Sequence, residues 1–129
     1  MIEQAIRYIL VNDTTVKAIT TRCYPVKLPQ SPVYPLMLYH AVGGIEEHAL
    51  GGTTGKSHSR MQVEAWSNVS ALEAKTLMKA ISGALIDYVG TVAGVVIKSI
   101  TAESRPISGY EAGVEAYRYH RDFMIWHTE

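Results

Sequence analysis

Apolar residues at Ile2, Ala5, Ile6, Ile9 and Leu10 recur at helical spacing and predict a short amphipathic helix over roughly Glu3 to Val11. Asp13 then stands where a carboxylate can cap a second helical turn carrying Val16 and Ile19. The clearest stripe comes later. Ser70-Ala71-Leu72-Glu73 has the form of a capping box, and Ala74, Leu77, Ile81, Ala84, Leu85 and Tyr88 continue one apolar face, with Gly90 placed as the stop.

Between these helices the pattern changes period. Leu36 to Val42 is short and apolar, bounded by Pro35 and Gly43, and predicts a buried strand. Arg60 to Trp66 alternates, with Met61, Val63 and Ala65 on one face and Gln62 and Glu64 on the other. Val95 to Ala102 predicts a further strand, and Ala116 to His127 the last. That last strand sets Tyr117, Tyr119, Phe123 and Ile125 against Arg118, His120, Asp122, Met124 and Trp126. Arg121 interrupts its apolar face, which points to an edge, a bulge or an interface. Prolines at 25, 29, 32 and 35 exclude helix and favour an extended, meandering connection. The order of elements predicts an α+β fold: an antiparallel-rich sheet of four to five strands, with one long and one or two short helices packed on it.

Two polar connections remain. Residues 43–58 predict a mobile Gly-rich arm between two strands, and residues 103–115, with Pro106, Gly109 and Gly113, a second long connection. The arm ends in Gly55-Lys56-Ser57, like a phosphate-binding loop. Such a loop needs a glycine at position 50, where Leu50 stands, and a following helix, where a strand pattern begins. Nucleotide binding is set aside on both counts.

At 129 residues the chain is predicted to form a single domain, 1–129, with enough length for one core. Twelve basic and twelve acidic residues cancel, so no global field draws it to nucleic acid or an anionic membrane. No segment reaches the ~20 apolar residues of a membrane span, and Met1-Ile2-Glu3-Gln4 lacks the layout of a secretory signal. A lone Cys23 forms no internal disulfide and fits a reducing cytoplasm. The triplets Asn12-Asp13-Thr14 and Asn68-Val69-Ser70 then read as helix starts rather than glycosylation sites.

No chemistry-bearing constellation emerges. His40, His48, His58, His120 and His127 show no metal-ligand spacing. Ser57-His58 lacks a strained nucleophile elbow, and the adjacent Glu46 and Glu47 are poorly preorganised as an acid and base. The expectation is no enzyme, no cofactor and no metal. Trp66 and Trp126 predict core or rim packing.

Several segments in order carry a resemblance: Met1-Ile2-Glu3-Gln4-Ala5-Ile6, Cys23-Tyr24-Pro25, Leu28-Pro29-Gln30, Pro35-Leu36-Met37-Leu38-Tyr39, Arg60 to Trp66 with Ala74-Lys75, and Asp122 to His127. Over nearly its whole length the chain resembles the tail-completion proteins of tailed bacteriophages and prophages, also described as tail terminators or tail-to-head joining proteins. The resemblance implies a virion structural protein, made in the bacterial cytoplasm, that forms a homo-oligomeric ring of six copies. The ring would cap the tail tube, end its elongation and offer a joining surface to the head connector. Implied partners are further copies, the tail tube protein and the head-closure protein. Membrane and specific nucleic-acid partners are not implied, although DNA would pass through the ring. Expected interface residues are Glu46, Glu47, His48, Leu50 and Lys56 on the arm, with Arg105, Tyr110 and Arg121 as a second group. The alternatives are another neck or minor tail subunit, or a module binding a small ligand or peptide on its sheet face.

Overall fold

The structure, a computed structural model, describes residues 1–49 and 52–128, with side chains described outside 44–57. In chain order the elements are α1 (Ile2–Asn12), α2 (Thr14–Ile19), β1 (Cys23–Pro25), β2 (Leu36–Ala49), β3 (Gly52–Ser67), α3 (Ala71–Leu85), β4 (Gly90–Val92), β5 (Val95–Ala102), β6 (Ile107–Glu111) and β7 (Ala116–Thr128).

Local chemistry sets the helix starts. The Asp13 carboxylate accepts from the amides of Thr15 and Val16, and the Ser70 hydroxyl accepts from the amide of Glu73. The expected capping box is half formed. Glu73 accepts a 2.7 Å bond from the Ser67 hydroxyl instead of turning back to the Ser70 amide. Helix α3 also ends at Leu85, earlier than Gly90. Asp87 adopts φ 66°, and its amide donates to the Ile100 carbonyl, which ties the chain to β5 before the helix can continue.

Seven strands form one sheet in the order β1-β2-β3-β7-β5-β4, with β6 also pairing with β7. The sheet is thus larger than the four to five strands expected, and mixed, because β1 runs parallel to β2. The three strands that sequence pattern missed, β1, β4 and β6, have three to five residues each, too few to show an alternating apolar face. β1 lies at the sheet edge, where Pro25 costs no ladder bond. The proline stretch that follows is held by Arg22, whose guanidinium donates to the carbonyls of Val33, Tyr34 and Pro35. β6 occupies the middle of the supposed connection 103–115.

Residues 43–58 are likewise a correction. Here β2 and β3 stay paired from Gly43 opposite Arg60 to Ala49 opposite Gly52, and beyond Lys56, where β7 ends, they run on as a two-stranded ribbon. Register shifts lie between Ala41 and Gly43 and between Glu46 and His48. Main-chain pairing extends the strands through a Gly-rich stretch whose sequence does not alternate.

The helices pack together on one sheet face. Ile6, Leu10, Leu77, Ile81, Leu85, Met37, Met61, Ile100 and Phe123 are fully enclosed between them and the strands. On the opposite face a small second cluster, Leu36, Leu38, Trp66 and Ala116, is covered by Tyr24, Leu28 and Tyr34. β7 is the hub, paired with β3 on one side and with β5 and then β6 on the other. The β4–β5 hairpin turns on Ala93 and Gly94, both at positive φ, as a two-residue connection between paired Val92 and Val95 demands.

Candidate interaction surfaces

Opposite the helices, the strands place a charged network on the open sheet face. Alternation along β3 sends Glu64 to this side, directly across from Leu38 on β2 and His120 on β7. Glu64 is buried, and its carboxylate accepts from the Trp66 indole at 3.1 Å. Arg118 approaches the same carboxylate at 3.9 Å and pairs with Glu111 of β6 at 3.1 Å. His40 stands 3.8 Å from its second oxygen. Arg118 also lies over the Trp66 ring, 5.8 Å from its centroid. Gly109 makes room for this arrangement, because a Cβ there would sit 3.2 Å from the Arg118 Nε. Further along, Asp122 accepts from both Arg60 and Gln62. Sequence reading placed Gln62 and Glu64 on the polar face but did not find this network. The one available signal was a glutamate two residues before a tryptophan on a common strand face.

On the helix side, α3 and the chain leading into β6 border an open groove of about 610 Å³. Lys75, Lys79, Arg105 and Arg121 line it, with Leu72, Pro106 and Tyr119 supplying apolar surface. Arg121 is fixed there. Its guanidinium donates to the Ser82 hydroxyl at 2.9 Å and to the Ser104 carbonyl at 2.7 Å, and it lies 5.9 Å from the Phe123 ring centroid. The interruption of the apolar face at Arg121 therefore has a local cause. β7 exchanges β5 for β6 as its partner between Phe123 and His120, and Arg121 fills that gap.

The structure brings together Arg105 and Arg121 of the expected residues. Tyr110 lies on β6, exposed, with its ring 4.9 Å from that of Tyr117. Glu46, Glu47 and His48 lie on the distal part of β2, and Lys56 on β3 pairs with Thr128 of β7. Leu50 lies outside the described residues. Trp126 is partly exposed at the far end of β7, against the His58 ring at 4.3 Å, while Trp66 is buried.

Among the described residues no group of three or more His, Cys, Asp or Glu is placed to hold a metal, and no helix is long and apolar enough to cross a membrane. Cys23 is buried, and that burial pushes its thiol up to about 12, against a smaller opposing pull from Arg7.

Fold and surface define an α+β domain with helices on one face of a mixed sheet, a charged opposite face and a projecting ribbon. Residues 4–128 match the family model described as Tail completion protein gp17, and the chain belongs to that family. It is a structural protein of the phage virion tail. Among solved structures, a chain of the virion of a native gene transfer agent particle has a similar fold. The TM-score is 0.71 at 13% identity, covering 97% of this chain and 92% of that one. No curated protein matches the chain.

Proposed function

We propose that copies of this chain close into a ring of six at the end of the tail tube, stop tube growth and offer the surface to which the head connector joins. Membership in the tail completion family sets the context. The observation that carries the reading is the ribbon: β2 pairs with β3 out to Ala49, whereas β7 stops supporting β3 at Lys56. A two-stranded extension beyond the supporting sheet has edge main-chain groups to offer a neighbour.

In this reading Glu46, Glu47, His48, Leu50 and Lys56 contact a neighbouring copy or the tube, while Arg105, Tyr110 and Arg121 form the second contact group. The ring assembles in the host cytoplasm on a finished tube, with the tail tube protein below it and the head-closure protein above. DNA passes through its centre without sequence-specific contact.

Native mass spectrometry across a concentration series, paired with binding to purified tails that lack this protein, provides the test. A hexamer in solution, or saturable binding confined to one tail end, is the expected result. A protein that stays monomeric and leaves tail ends bare would overturn the proposal.

A further inference from the structure

The groove beside α3 has a composition that the fold does not require. Lys75 and Lys79 are exposed and stand one helical turn apart, Arg105 is exposed across from them, and Arg121 is anchored at the β7 side. None of these four cations has an ion-pair partner among the described residues. No Asp or Glu lines the groove. Leu72 at its rim is 72% exposed, and Pro106 and Tyr119 add apolar surface. A matching occupant carries negative charge beside apolar groups and is slender enough for about 610 Å³.

Many acids elsewhere on the chain are committed. Glu64, Glu111 and Asp122 are paired with basic side chains, Glu73 accepts from Ser67, and Asp13 caps α2. The distal β2–β3 hairpin, residues 43–55, carries Glu46 and Glu47 beside Ile45, Ala49 and Leu50, and no Lys or Arg. We infer that the groove formed by Lys75, Lys79, Arg105 and Arg121 receives the acidic ribbon tip of a second copy of this chain. The contact is head-to-tail, ribbon of one copy in groove of the next, and repetition of such a contact closes a ring when its rotation divides the circle. The inference rests on the ring reading and assigns the two halves of its interface. Duplex DNA, the other polyanion at hand, fits less well, because the whole chain carries no net charge.

Charge reversal tests it. One variant carries Glu46→Lys with Glu47→Lys, the other Lys75→Glu with Lys79→Glu. Both change exposed or ribbon positions and leave the core intact, which circular dichroism checks. His48→Cys with Thr76→Cys, at positions the reversals leave untouched, serves as a probe: a membrane-permeant thiol oxidant added to tail-forming cells is expected to give a ladder of disulfide-linked multimers, absent from either cysteine alone. Each reversal, made in the probe chain, should lower the ladder by about tenfold, because like charges then face one another. Co-expression of the two reversed chains should restore it, because each altered ribbon then meets an altered groove. Absence of a ladder, or reversals that co-expression does not rescue, would overturn the inference. So would a groove variant that loses binding to a DNA duplex while the ribbon variant has no effect. Reversed chains that still cap tails would sink this interface and leave the capping function standing. Wild-type protein missing from tail ends would sink the function itself, whatever the ladder shows.

Discussion

Glu64 shows how a single side chain can bind three strands. Its carboxylate is shared by the Trp66 indole and Arg118, and Arg118 reaches on to Glu111 of β6. Replacing it with alanine strands the indole N–H and weakens the hold on a guanidinium, a loss of about 2 kcal/mol in urea unfolding. Cys23 makes a separate prediction. Burial raises its thiol from an ordinary 9.0 to about 12, so the folded chain keeps a proton that the unfolded chain has released. Stability from this group is complete below about pH 9 and declines as pH rises toward 12, with a slope approaching about 1.4 kcal/mol per pH unit. Urea melts at pH 8 and pH 10.5 should differ more for the native sequence than for Cys23→Ala. Tyr34 and Tyr39, whose phenols burial also pushes upward, leave a residual slope in the variant.

Among the elements, α3 starts where its sequence says it should, and its cap can be weighed. Ser70→Ala removes the acceptor for the Glu73 amide and should cost about 1 kcal/mol, read as a lower thermal midpoint. What the sequence made legible follows from where apolar side chains must go. The helix stripes, the alternation of Met61, Val63 and Ala65, and the span Val95 to Ala102 all record packing against one core. β1, β6 and the distal ribbon left no such record, since main-chain bonds form them and main-chain bonds are blind to side-chain identity. The candidate surfaces divided in the same way. Arg121 was visible as a charge on an apolar face, but its partners Ser82 and Ser104 come from distant parts of the chain. Lys75 and Lys79 carry no signal of a groove in the sequence, because Arg105 comes to lie across from them only through the fold.

For the molecule as a whole, the division between core and ribbon predicts separable losses. Glu46 pairs with Ser57, so an Asn-Gly turn replacing residues 47–56 can close the hairpin in register. The shortened protein is expected to keep its cooperative thermal transition, because the core among the described side chains is left whole. Tail preparations supplied with it should contain tubes of uncontrolled length, measured by electron microscopy. Unchanged tube lengths would remove the ribbon from the capping step.

The central place of β7 has a consequence for synthesis. Of all these elements it leaves the ribosome last, yet β3, β5 and β6 each need it as a neighbour. A nascent chain stopped short of residue 116 has the helices, the β1–β2–β3 strands and the β4–β5 hairpin but no strand to unite them. Interrupted translation therefore yields fragments that cannot imitate the finished subunit, and fragments of that kind are targets for proteolysis rather than competitors for a place on the tail.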